Sequence, residues 1–129
     1  MHVPARTPVI IGVSQWTARR EDLPAAEPLT QWEKVCIGAA EDAALPPSTV
    51  RQAQALMITD CMSWRYDDPV ARLAERLGAE PKVGKISTPS GTAGQTMLQN
   101  AADLVRKGEV DLALVCGGEA LASVRAYRK

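Results

Sequence analysis

The sequence predicts one α/β domain with a mostly parallel sheet, and three observations lead there. Short apolar runs alternate with helical patterns, each helical pattern is long enough to be a crossover, and glycine or proline punctuates nearly every junction. Strands separated by helices of about ten residues or more pair in parallel through right-handed crossovers, which gives the order β-α-β-α-β-α-β. At 129 residues the chain forms a single domain over 1–129, since a chain near this length buries roughly two thirds of its unfolded surface in one core.

The elements follow in order. Pro8 to Gln15, "PVIIGVSQ", is rich in β-branched residues and is expected to be the first strand. Trp16 to Pro28 carries prolines and mixed charge without apolar periodicity, the composition of an exposed loop. Thr30 and Glu33 stand in capping-box spacing and predict a helix start. Trp32, Val35, Cys36, Ala39, Ala40 and Ala43 then recur on one helical face, which must end before Pro46 and Pro47. Ala55 to Thr59, "ALMIT", is the second strand. Asp68 as a cap, Pro69 in the first turn, Val70, Leu73, Ala74 and Leu77 on one face and Gly78 at the end define the second helix. Lys82 to Thr88 is the third strand. The third helix presents Ala93, Met97, Leu98, Ala101, Leu104 and Val105, ends at Gly108, and leads into a fourth strand in "VDLALVCGG". With Gly94, Thr96 and Ala102 on its other sides and almost no charge before Asp103, this helix is expected to be packed on more than one side.

Fifteen basic and fifteen acidic residues leave no net charge, which argues against nucleic acid and anionic membrane surfaces as partners. No apolar run approaches the roughly 18 to 20 residues that cross a bilayer, and "MHVPARTPVIIGVSQ" lacks the pattern of a signal peptide, so a cytoplasmic location is expected. Cys36, Cys61 and Cys116 are widely spaced and include no C-x-x-C, which predicts reduced thiols and no metal site. The one histidine, His2, sits near the terminus, where it makes an implausible base for a nucleophile elsewhere.

The segment "STPSGTAGQTMLQNAADLVRKGEVDLALVCGGEA", Ser87 to Ala120, is the most informative. "GTAGQT" lacks the lysine of a P-loop, and "IGVSQ" lacks the later glycines of a dinucleotide site. The free N–H groups opening the third helix favour an anion or a thiolate, and Ser90 or Thr92 is first of all a capping candidate there. Cys36 belongs to the helix core, and Cys116 reads as a buried strand residue before it reads as a reactive one. Trp64, Arg65 and Tyr66 offer either a stacking or contact surface or an ordinary amphipathic loop. The acidic pairs Glu21–Asp22 and Asp67–Asp68 are accounted for by solvation and capping.

In "GTAGQTMLQNAADLVRKGEVDLALVCGGEAL" the chain resembles the N-terminal half of the thiolase superfamily, the acetyl-CoA acetyltransferases and ketoacyl synthases. Gly108, Glu109 and Asp111 match the family's Gly-Glu-x-Asp step, "LALV" its apolar strand, and Gly117 with Glu119 the glycine turn that follows. "PVIIGVSQW" and "ALMITD" are similar to the family's first two strands, so the resemblance covers most of the chain, strongly over the last third. It implies an acyltransferase fold of acyl-CoA and lipid metabolism, with a CoA thioester as ligand and no covalently bound cofactor.

Counting back from these matches places Gly91 where the family carries its nucleophilic cysteine, and Gly94 on a glycine of the same motif. Ser90 lies one residue away. Claisen condensation and thiolysis both hold an acyl group on that cysteine, so the resemblance is nearest to thiolase-like proteins that keep the fold and lack the thiol. It further implies two similar halves packed around central helices, the second supplying histidines and a second cysteine. A homo-oligomer, or association with a C-terminal thiolase half, is therefore expected; alternatively the chain is a non-catalytic binding or assembly subunit of that fold.

Overall fold

A computed structural model describes residues 5–19, 21 and 27–128. Its elements in chain order are α1 (Pro28–Asp42), a 3-10 helix (Pro47–Gln52), β1 (Ala55–Thr59), α2 (Pro69–Leu77), β2 (Val83–Ser87), α3 (Ala93–Arg106), β3 (Ala113–Gly117) and α4 (Leu121–Tyr127). His2 and Asp22 lie outside the described residues, as does part of the expected Trp16 to Pro28 loop.

The strands form one parallel sheet in the order β2-β1-β3. Ala55 pairs with both Val83 and Ala113, and Thr59 with both Ser87 and Gly117, so the three strands end level at their carboxyl edge. Central β1 is buried on both faces, as its apolar run requires in a covered parallel sheet. Side chains alternate along a strand, and β1 feeds two separate cores. Leu56 and Ile58 join Leu29, Trp32 and Cys36 of α1, Leu73 and Leu77 of α2, and Cys116 on one face. Ala55 and Met57 join Met97 and Ala101 of α3 and Val110 on the other. The chain steps from β1 to β2 in one direction and from β2 across to β3 in the other. Right-handed crossovers then place α2 and α3 on opposite faces.

Local signals explain the helices that formed as expected. The Asp68 carboxylate accepts the Ala71 amide at 3.1 Å, Pro69 opens α2, and Gly78 closes it at φ 72°, a left-handed geometry that favours glycine. Gly108 takes the same role after α3, at φ 78°.

Three expectations are corrected. Pro8 to Gln15 takes no regular secondary structure and belongs to no sheet, so the described chain has three strands rather than four. Its side chains face outward, with Val9 75%, Ile10 65%, Ile11 54% and Val13 65% exposed. It is held instead by tethers. The Arg6 guanidinium donates to the carbonyls of Val105 and Val110 and to Asp111, the Val13 amide donates to Asp42 at 2.9 Å, and Gly12 lies against the α1 backbone at Ala39. A strand needs a neighbour with matching free N–H and C=O groups, and among the described residues none lies beside this segment.

The capping box is also absent. α1 begins earlier, at Pro28, with no side-chain cap. The Thr30 hydroxyl accepts from Arg76 at 2.8 Å and Glu33 faces the same guanidinium at 3.7 Å, so both residues join α1 to α2. Finally, α3 is buried along one face only, through Ala93, Met97 and Ala101, while Gly94 and Thr96 are exposed and Leu98 stays 42% exposed. Nothing among the described residues covers its far side.

Candidate functional site

Because α2 leaves β1 for one face and α3 leaves β2 for the other, the chain opens a crevice where the two connections diverge. Ligands of open parallel sheets bind at such a point, outside the carboxyl ends of the strands. A cleft of 340 Å³ lies there, lined by Thr59, Asp60 and Met62 after β1, Pro89, Ser90 and Gly91 after β2, and Gly118 and Glu119 after β3.

The cleft is braced by one carboxylate. Glu119 accepts the amides of both Met62 and Ser63, the second at 2.9 Å. In return the Ser63 hydroxyl accepts the Ala120 amide at 2.9 Å, so the loops after β1 and β3 are locked together. Gly117 fits tightly beside Thr59, since a Cβ on it would stand 2.9 Å from the Thr59 Cβ. This close approach keeps the two strand ends in contact at the cleft floor.

Ser90 and Gly91, in the turn before α3, line the cleft. The Ser90 hydroxyl accepts the Thr92 amide at 3.3 Å and lies 3.2 Å from the Thr92 hydroxyl, while the Ser90 carbonyl accepts the Ala93 amide at 3.2 Å. These are turn-closing bonds ahead of the helix. Thr92 occupies the N-cap position without a side-chain cap bond. At Gly91 there is open space, with no atom within 4 Å of an added Cβ.

The three cysteines are buried and reduced. Burial holds the Cys61 thiol above its ordinary value, reinforced by the Glu119 and Asp60 charges and partly offset by its 3.3 Å hydrogen bond to the Trp64 carbonyl. Hydrogen bonding with Cys36, together with burial, pushes Cys116 well above the ordinary range. Both stay protonated at neutral pH, so neither offers a nucleophilic thiolate.

Of the aromatic loop, Tyr66 is structural. Its hydroxyl accepts the Leu29 amide at 3.1 Å and its ring meets Trp32 edge-on, with centroids 5.7 Å apart. Trp64 packs partly against the core, and Arg65 is exposed. Asp67 pairs with Arg72, and the described residues contain no cluster that could hold a metal ion. No described helix is long and apolar enough to cross a membrane.

Sequence reasoning missed Asp60 and Met62 as cleft residues and the bracing role of Glu119, which Ser63 completes from outside the lining. The Gly117-Gly118-Glu119 turn was the available signal, but the partners of Glu119 stand 56 and 57 residues away.

A three-layer parallel α/β arrangement with a cleft at its topological switch point defines the class of the chain. Its fold is thiolase-like. A monomeric SCP2-thiolase like protein type 1 from Mycobacterium smegmatis superposes with a TM-score of 0.72 at 25% identity, over 87% of this chain and 23% of that one. OleA of Xanthomonas campestris follows with a TM-score of 0.62 at 20% identity, over 74% and 28%. 3-Oxoacyl-[acyl-carrier-protein] synthase III from Aquifex aeolicus gives 0.64 at 14% identity, over 76% and 31%. The chain thus spans about a quarter to a third of the length of these structures. No family model and no curated protein matches it.

Proposed function

We propose that the chain binds an acyl-CoA thioester at the cleft beside Gly91, as a thiolase-like protein of acyl-CoA and lipid metabolism. The observation that carries this reading is the position of Gly91. It lies with Ser90 at the mouth of the cleft, at the turn before α3, with nothing within 4 Å of an added Cβ. The N-terminus of α3 offers backbone N–H groups toward a thioester carbonyl oxygen. Without a thiol at 91, the residues of this cleft hold and orient an acyl group and form no acyl-enzyme through a cysteine there.

A second reading, a non-catalytic binding or assembly subunit, is favoured by the exposed Val9 to Val13 segment and the uncovered side of α3. Both are apolar surfaces of the kind that associate. The partner is then a second copy or a C-terminal thiolase half.

Thermal denaturation with and without acetyl-CoA tests the first reading, because a ligand that binds only the folded state raises the midpoint. No shift at saturating acetyl-CoA would leave the assembly reading. Light scattering on the same samples tests the second copy as partner, where a stable dimer or larger species supports it and a compact monomer leaves only a C-terminal thiolase half.

A further inference from the structure

A second, larger cavity of 790 Å³ lies on the other side of the loop after β1, lined by Glu27, Ser63, Trp64, Arg65, Val124 and Arg128. Its volume falls within the range of small-molecule sites. The two cavities share a wall, since Met62 lines the cleft while its neighbours Ser63, Trp64 and Arg65 line this one. That wall is rigid where the cavities meet. Glu119 holds the Met62 and Ser63 amides, the Trp64 carbonyl accepts a hydrogen bond from the Cys61 thiol, and the Trp64 ring packs partly against the core.

The two cavities differ in charge. The cleft carries Asp60 and Glu119 and no cation in its lining, which disfavours a phosphate there. The larger cavity carries two guanidiniums against one carboxylate, and that carboxylate, Glu27, is met by Arg76 at 3.3 Å. Arg6, Arg72, Arg76 and Arg106 each pair with an acidic side chain. Arg65 and Arg128 form no ion pair among the described residues, so their planar forks are free for a phosphate, which they match bidentately. Trp64 and Val124 provide an apolar wall on which a flat ring stacks, and Glu27 is an acceptor for an amino or hydroxyl group.

We propose that this cavity binds a phosphorylated aromatic heterocycle of nucleotide type, with Arg65 and Arg128 on the phosphates and the ring against Trp64. The free nucleotide and the nucleotide end of a CoA thioester share this chemistry. The second source rests on the function proposed above. In that case the thioester crosses the Met62 to Trp64 loop, its anionic end held away from Asp60 and Glu119 and its acyl end beside Gly91.

Calorimetric titration of the whole chain with adenosine 3′,5′-bisphosphate tests the site, with adenosine and inorganic phosphate as separate titrants. The expected result is saturable binding of the bisphosphate, weaker binding of each part, and a loss of about tenfold in Arg65→Ala. Arg65→Lys, which keeps the charge without the fork, should lose less. Arg65 is exposed, so both variants should fold, and a circular dichroism spectrum verifies it. No saturable heat, or equal affinity in wild type and Arg65→Ala, overturns the site. Inorganic phosphate binding as tightly as the bisphosphate overturns the ring contact.

Thermal shifts with acetyl-CoA separate the two proposals. If Arg65→Ala is stabilised by acetyl-CoA as strongly as wild type, the acyl reading stands and the CoA source for this cavity falls; if the bisphosphate titration is also unchanged by Arg65→Ala, the cavity falls with it. If the bisphosphate binds through Arg65 but acetyl-CoA stabilises no better than the bisphosphate, the cavity stands and the acyl reading falls.

Discussion

The Glu119 carboxylate accepts the backbone amide of Ser63 at 2.9 Å across 56 residues of sequence, and with the Met62 amide it makes one side chain the clamp between two loops. Glu119→Ala leaves both amides without their acceptor. Hydrogen bonds to a charged group contribute on the order of 1 to 3 kcal/mol, and the exposure of Glu119 puts this pair at the low end, about 1 kcal/mol. Glu119→Gln keeps one acceptor oxygen and should lose less. Urea denaturation of the three proteins gives the order, and equal midpoints would show that the loops are held by other contacts.

Gly91→Cys should fold normally, because an added side chain enters open space. The α3 N-terminus favours the thiolate, while Asp60 and Glu119 oppose it. Being in contact with water, the new thiol should still ionise at lower pH than Cys61 or Cys116, which burial holds above their ordinary values. The rate of iodoacetamide alkylation against pH checks this. A new thiol that reacts only when the buried cysteines do would remove position 91 from the cleft mouth.

A methyl group at position 12 would stand 2.1 Å from the Ala39 carbonyl oxygen, a backbone atom with little room to yield. Gly12→Ala should therefore destabilise by about 1 to 3 kcal/mol or detach the segment from α1. Limited proteolysis between residues 9 and 13 distinguishes these outcomes, since detachment speeds cleavage without moving the global unfolding midpoint.

Trp32 is fully buried, yet its indole N–H has no partner among the described residues. Trp32→Phe removes that donor while keeping a ring against Tyr66, so it should cost a small part of the roughly 3 to 5 kcal/mol expected for Trp32→Ala. Similar losses for both variants would mean that the N–H has an acceptor in solution, such as a bound water.

Stability should fall in alkali. Cys116, Cys61 and Tyr66 all have folded-state pKa values raised above their ordinary values of 9.0 for the thiols and 10.0 for the phenol. An acid whose pKa is raised by folding contributes its full share below the unfolded value and loses it as pH rises through the folded one. Midpoints should thus be flat up to about pH 9 on this account and decline above it. Cys116→Ala should flatten the decline, and an unchanged slope would exclude that thiol as a source.

The parts of the fold legible in the sequence are those written in local signals. β1 was bounded at Ala55 and Thr59 by its own apolar run, and α2 by Asp68, Pro69 and Gly78. Pro8 to Gln15 misled because its composition suits a strand, while strand pairing depends on a neighbour that local sequence cannot supply. Thr30 and Glu33 misled because Arg76, 46 residues from Thr30, draws both into a link between helices. The same division holds at the site. The turn that carries Ser90 and Gly91 ahead of α3 was legible as a turn from its glycine and hydroxyl residues, whereas the Glu119 clamp is a tertiary contact whose two ends carry no common pattern.

The exposed Val9 to Val13 segment before α1 also bears on the fate of the newly made chain. Four bulky aliphatic side chains on outward-facing backbone form the kind of surface that holdase chaperones capture. Association with another chain depends on its concentration, whereas capture depends on the supply of chaperone. Under the assembly reading, capture has the advantage at low expression and assembly at high expression, so the soluble yield of this chain should then rise more steeply than its rate of synthesis.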